Sequence, residues 1–164
     1  MIIEPLAQQS RKGFACGNSQ LDDWIQKYAG QNERQDFSRT YLAIDGGHLL
    51  GFVALSAASV SRHIAPVELT RNAPEYVPMV AITRLAVDRR AQGHGLGTLL
   101  LGFALDKILT VAGMIGAHGT LISAVDDNAK AFYLSHARFL EFDSLPGWLA
   151  LPTDYVRREF TRTT

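Results

Sequence analysis

The sequence predicts an α/β fold of the α+β mixed-sheet kind: a central twisted sheet of about six to seven strands with helices on both faces. Three observations carry that reading. An opening helix and a hairpin are followed by a β-loop-α-β-α-β succession. Two of the strands, Val80 to Val87 and Gly119 to Val125, are apolar along most of their length, as strands covered on both faces are. The chain has 164 residues, 47% of them hydrophobic and 20% charged, which suits one domain over residues 1–164 and argues against disorder.

Met1 to Leu6 reads as a short opening strand. Asn18 or Ser19 caps a helix to about Gln35, because Leu21, Trp24, Ile25 and Tyr28 recur as one apolar face. Arg39 to Ile44 alternates like a strand, Asp45-Gly46-Gly47 turns, and His48 to Ser59 returns antiparallel. Ile64 to Pro78 holds three prolines and reads as a connection with one helical turn. Val80 to Val87 follows as a central strand. A loop, Asp88 to Gly95, then feeds a helix. In it Leu96, Leu99, Leu100, Phe103, Ile108 and Val111 recur at helical spacing, and Gly113 suits the end. Gly119 to Val125 is a buried strand, and Asp126 or Asp127 caps a helix to about His136. Phe139 to Phe142 and Tyr155 to Phe160 close the chain as two strands.

Charge narrows the function classes. Sixteen basic residues balance sixteen acidic ones, which excludes a polycationic nucleic-acid coat and an acidic tail protein. Twelve of the basic residues are arginines, which suit bidentate phosphate contacts better than lysines. They gather as Arg84, Arg89 and Arg90, as Arg157, Arg158 and Arg162, and as Arg34 and Arg39. A local basic face and a set of solvated salt-bridge partners both fit such runs. The single cysteine, Cys16, excludes an internal disulfide framework and reads as a small packed residue. His48, His63, His94, His118 and His136 lack metal-ligand spacing, so no metal is expected. No signal peptide is visible. The most apolar stretch, Gly93 to Gly116, contains Asp106 and Lys107 and reads as too polar for a membrane span. A cytoplasmic location without membrane attachment is the expectation.

The segment richest in chemistry is Arg84 to Thr98. It joins a buried strand to an amphipathic helix through Gly93, Gly95 and Gly97. Glycines let a backbone approach a ligand closely, and a helix start offers unpaired N–H groups with a positive partial charge. The pattern fits a phosphate or pyrophosphate cradle; a tight glycine turn before a packed helix is the plainer alternative. A Walker A loop would need a Lys-Ser/Thr pair, and a dinucleotide fingerprint a third glycine where Thr98 stands. Both nucleotide readings fail.

Arg90-x-x-Gly93-x-Gly95 after a strand resembles the Arg/Gln-x-x-Gly-x-Gly/Ala motif of the GNAT superfamily of N-acetyltransferases. Asn128-x-x-Ala131-Phe132-Tyr133, following a strand and opening a helix, resembles that family's second signature. The resemblance implies a GNAT fold and acetyl-CoA as co-substrate. It also implies a binding set of Leu85, Ala86, Val87, Arg90, Gln92, Gly93, His94, Gly95, Leu96, Gly97, Thr98 and Asn128. Amides around Leu85 and Val87 would hold the thioester carbonyl or pantetheine, and Tyr133 would be the general acid.

A narrower resemblance joins Phe14-x-Cys16-Gly17-x-x-x-Leu21-Asp22-x-Trp24, Leu55 to Val60 and Arg84 to Asp88 to the GNAT toxins of bacterial toxin–antitoxin modules. It implies acetylation of the α-amino group of aminoacyl-tRNA, a ribbon-helix-helix antitoxin partner and a homodimer. An acetyltransferase for a small amine or a protein N-terminus, and a non-catalytic acyl-CoA-binding protein, are the alternatives. No general base stands out. A free α-amino group, with a pKa of about 7.7–8.0, needs less help than a lysine at about 10.4, which leans towards an α-amine substrate. One departure is visible: the family's Tyr-x-x-x-Gly-Phe becomes Tyr133-Leu-Ser-His-Ala137-Arg138-Phe139, so the turn out of that helix must be built without glycine.

Overall fold

The computed structural model describes residues 1–160; Arg162, the last of the expected C-terminal arginine cluster, lies outside them. Seven strands form one mixed sheet in the order β1-β2-β3-β4-β5-β7-β6. They are β1 Ile2–Pro5, β2 Arg39–Asp45, β3 His48–Ser61, β4 Tyr76–Val87, β5 Gly119–Ser123, β6 Leu140–Glu141 and β7 Trp148–Pro152. The helices are α1 Ser19–Asp23, α2 Ala29–Arg34, α3 Leu96–Ile115, α4 Asp127–His136 and α5 Thr153–Phe160. The chain divides into two compact units, one of Met1–Ser56 with Thr83–Ala104 and one of Ala57–Ile82 with Leu105 onward.

In the first unit β1 and β3 flank β2 in antiparallel pairing. The β2–β3 turn is the two-residue Gly46-Gly47 between paired Asp45 and His48, with φ of +57° and +79°. Both signs match the right-handed twist of a tight hairpin. Trp24, Ile25, Ala29, Leu42, Phe52 and Ala86 are among its buried core residues. The Asn18 side chain caps α1 by accepting from Leu21 N at 3.1 Å.

The helix after Asn18 departs from the simple period. Between α1 and α2, Trp24–Tyr28 forms a π turn in which Ala29 N donates to Trp24 O, five residues back. The extra residue shifts the helical phase. Ala29 therefore takes the core position expected of Tyr28, which is 53% exposed.

The second unit holds β5 between the parallel β4, over Met79–Ile82, and the antiparallel β7. Its core includes Val60, Leu69, Val77, Met79, Leu121, Phe142 and Ala150. Gly119 is pinched there: an added Cβ would lie 2.8 Å from Leu151 O and 2.9 Å from Met79 Cε. The Met79 methyl can move but the backbone carbonyl cannot do so cheaply. Gly119→Ala is expected to destabilise by about 1–3 kcal/mol, read as a lower urea midpoint at unchanged slope.

Several expected boundaries move. Tyr155 to Phe160 is not a strand: Thr153, Val156 and Phe160 recur at helical spacing, with Thr153 and Val156 buried, and form one face of α5. The last full strand is instead β7, a continuous apolar run whose Leu149, Ala150 and Leu151 are all buried. Strand β4 starts four residues early, at Tyr76, which shortens the expected connection to one around the helical turn Val67–Leu69. Strand β5 stops at Ser123, leaving Val125 exposed. Helix α3 passes Gly113 and ends before Gly116, whose φ is +79°. By length and composition α3 is apolar enough to cross a membrane, so Asp106 and Lys107 do not make it too polar. Leu100, Leu101, Ala104, Leu105 and Ile108 are its buried side, as on a core helix.

Candidate functional site

Strand β4 delivers the chain to the loop in the first unit. Near its end the Arg84 guanidinium lies 4.2 Å over the Trp24 ring, and burial lowers its pKa from the ordinary value. That arrangement makes Arg84 part of a packed wall. Asp88 follows, its side chain only 2% exposed. Its carboxylate accepts from Ala15 N at 3.1 Å and Arg90 N at 2.9 Å, and from Arg90 Nε at 2.9 Å and Nη2 at 3.3 Å. Burial pushes this carboxyl up, but the Arg90 side chain and the two amides outweigh it and hold it below the usual carboxylate range.

The rest of the loop is tied down as firmly. Arg89 N donates to Ala15 O at 2.9 Å, and Gln92 Nε2 donates to Cys16 O at 2.9 Å and Val87 O at 2.8 Å. Gly93 and Gly95 adopt φ of +82° and +85°, and a Cβ on either would meet nothing within 4 Å. The backbone conformation, not crowding, requires glycine here, and the space beside it is open to a ligand. Leu99 N donates to Gly95 O at 3.1 Å, so the amides of Leu96 and Gly97 precede the first bond of the helical ladder. A cavity of about 340 Å³ adjoins the loop, lined by Met1, Leu50, Arg90, Ala91, His94, Gly95, Leu96 and Leu99. Leu99, expected in the core, lines this cavity. Open glycines, helix-start amides and an adjoining cavity fit the diphosphate of a nucleotide-bearing acyl donor.

In the second unit, Asp126 Oδ1 caps α4 by accepting from Ala129 N at 2.8 Å. Asn128 is exposed in the first turn. Tyr133 is 6% exposed, with Phe132 and Phe139 meeting its ring edge-on at centroid distances of 5.2 and 5.7 Å. Burial pushes its phenol up to about 12. The missing glycine after the helix is replaced by side chains. Ser135 Oγ donates to Phe132 O at 2.7 Å, His136 Nδ1 lies 2.7 Å from the same oxygen, and Ala137 continues in extended conformation at φ −159°. No left-handed residue is needed to leave the helix.

All of the expected binding residues from Leu85 to Thr98 fall together around the loop of the first unit, while Asn128 and Tyr133 share α4 in the second. Ala86 is buried, Leu85 and Val87 half-buried, and Gln92, Gly93, His94, Gly95 and Thr98 exposed. Sequence reasoning missed Asp88 as the loop's anchor. The available signal was an Asp directly after an apolar strand and two residues before a turn amide, the pattern of a cap. Cys16 is half-buried; burial first, then the Asp22 carboxylate, push its thiol up to about 11, which leaves it protonated. Among the described residues no group of His, Cys, Asp and Glu could hold a metal ion.

Comparison with known proteins agrees with this geometry. The chain is 40% identical over 121 residues to a tRNA-acetylating toxin of Mycobacterium tuberculosis, covering 74% of this chain and 73% of that protein. Its fold superposes on a tyrosine-to-phenylalanine mutant of KacT with a TM-score of 0.88 at 26% identity, over 96% of this chain and 97% of the other. It superposes with a TM-score of 0.84 at 25% identity, over 98% of each chain, on a tyrosine-to-phenylalanine mutant of the AtaT toxin. That structure holds the C-terminus of the antitoxin AtaR and acetyl-CoA. The model of the acetyltransferase (GNAT) family matches residues 6–137, across both the glycine loop and Tyr133, and the chain belongs to that family.

Proposed function

We propose that this chain is an acetyl-CoA-dependent N-acetyltransferase toxin that acetylates the α-amino group of aminoacyl-tRNA and so blocks translation. The observation that carries it is the preassembled loop from Asp88 to Thr98, in a chain 40% identical to a tRNA-acetylating toxin. The loop amides from Gly93 to Thr98 would take the diphosphate of acetyl-CoA, and amides near Leu85 and Val87 the thioester carbonyl. Asn128 would orient the acyl arm. The amine attacks the carbonyl carbon, the C–S bond breaks, the departing sulfur takes a proton from the Tyr133 phenol, and the proton lost by the amine nitrogen passes through water to restore the phenol. A phenol raised to about 12 stays protonated at physiological pH and is ready to donate. A thiol's pKa is about 8.5, so the transfer is uphill on its own and is driven by the coupled loss of the amine's proton as the amide forms.

The AtaT structure with its antitoxin segment supports an antitoxin partner for this chain as well. In this reading the partner is of ribbon-helix-helix type, the toxin is a homodimer and the single catalytic domain works in the cytoplasm beside its charged tRNA substrates. The test incubates the protein with acetyl-CoA and a panel of aminoacyl-tRNAs and looks for N-acetyl-aminoacyl-tRNA. Product is expected with at least one of them. Turnover with free amines but none with tRNA would overturn the assignment.

A further inference from the structure

Four cations of the first unit have an evident partner. Arg39 pairs with Glu33 and Asp36, Arg90 with Asp88 and Lys27 with Asp23, while Arg84 stacks on Trp24. Arg11 and Arg34 differ. Neither guanidinium has a hydrogen bond or ion pair among the described residues, and Arg11 Nε is buried without a partner. The two groups meet over Gly30: a Cβ built there would lie 3.3 Å from Arg34 Nη1 and 3.5 Å from Arg11 Nη2. Burial first, and then the Arg34 charge, lower the Arg11 pKa. The adjacent Glu33 cannot relieve them, because its carboxylate accepts from Arg39 Nη1 at 3.0 Å and Thr40 N at 2.9 Å. Two like charges, one partly desolvated, are thus held together at a cost to the free protein.

We infer that Arg11 and Arg34 form an oxyanion clamp across Gly30 that receives a backbone phosphate of the RNA substrate. The clamp rests on the functional reading above. Two guanidinium groups this close can both donate to the oxygens of one phosphodiester, whose charge cancels their repulsion. Glycine at position 30 keeps the space between them clear.

The test uses the full chain with Arg11→Gln and Arg34→Gln, each assayed with aminoacyl-tRNA and for binding of uncharged tRNA across a salt series. Each variant is expected to raise KM for aminoacyl-tRNA about tenfold. Each should also flatten the slope of log K against log salt by about one. KM for acetyl-CoA should not change, and the thermal midpoint should equal or exceed that of the wild type, since a repulsion has been removed. Unchanged tRNA KM and salt slope in both variants would overturn the clamp, as would a rise in KM for acetyl-CoA alone, which would assign the pair to the co-substrate's phosphates. A lower thermal midpoint at unchanged slope would make the pair structural and overturn it too. Should the wild-type chain acetylate no aminoacyl-tRNA, the functional reading fails and the clamp falls with it.

Discussion

Tyr133→Phe is expected to lower kcat by about 10²–10⁴-fold while KM for acetyl-CoA stays close to that of the wild type. The change removes one oxygen from a ring whose packing against Phe132 and Phe139 phenylalanine can keep. The hydroxyl has no hydrogen-bond partner among the described residues, so stability near neutral pH should change by only about 0.5 kcal/mol. The pH dependence separates the variants further. The folded phenol sits at about 12, against about 10 in an unfolded chain, so its contribution is fully present below pH 10 and lost as pH rises towards 12. Alkaline unfolding of the phenylalanine variant should lack that component. Turnover at the wild-type rate would remove Tyr133 from the acid role.

Asp88→Asn should be nearly as damaging, by another route. The carboxylate accepts from the amides of Ala15 and Arg90 as well as from the Arg90 side chain. An amide side chain must turn its own NH₂ towards one of those donors, leaving a buried N–H unsatisfied at about 1–3 kcal/mol. Loosening the loop should also raise KM for acetyl-CoA by about tenfold or more, measured in steady state beside a urea titration. The sign with pH is opposite to that of Tyr133. Because folding holds the Asp88 carboxyl below its ordinary value, its contribution is present above pH of about 4 and lost as pH falls through the folded pKa. The asparagine variant should lack this acid-side loss.

Local chemistry explains which parts of the molecule could be read directly. Gly93 and Gly95 announced a backbone that only glycine adopts easily, Asp126 a cap, and Gly46-Gly47 a tight hairpin. Each signal acts within a few residues. Tyr28 was misplaced because the π turn at Trp24–Tyr28 depends on packing beyond the helix, not on spacing along it. Tyr155 to Phe160 carries a period compatible with strand or helix until the burial of Thr153 and Val156 decides it. Strand β7 was hidden by Pro146-Gly147, which marks a turn, and by an apolar run without alternation. At the site, the glycine loop was visible as a motif. The Asp88 anchor was not, because its bonding partner Ala15 lies 73 residues away in sequence.

That distance has a kinetic meaning. The bonds joining the cradle to the segment before α1 span 73 residues from Ala15 to Asp88 and 76 from Cys16 to Gln92. Closing such long loops comes late and is slow compared with forming a hairpin or a helix. During synthesis, the residues before α1 leave the ribosome first and must wait for β4 and the loop to follow. The nascent chain therefore has no formed donor site until the loop after β4 has left the ribosome and met the segment before α1.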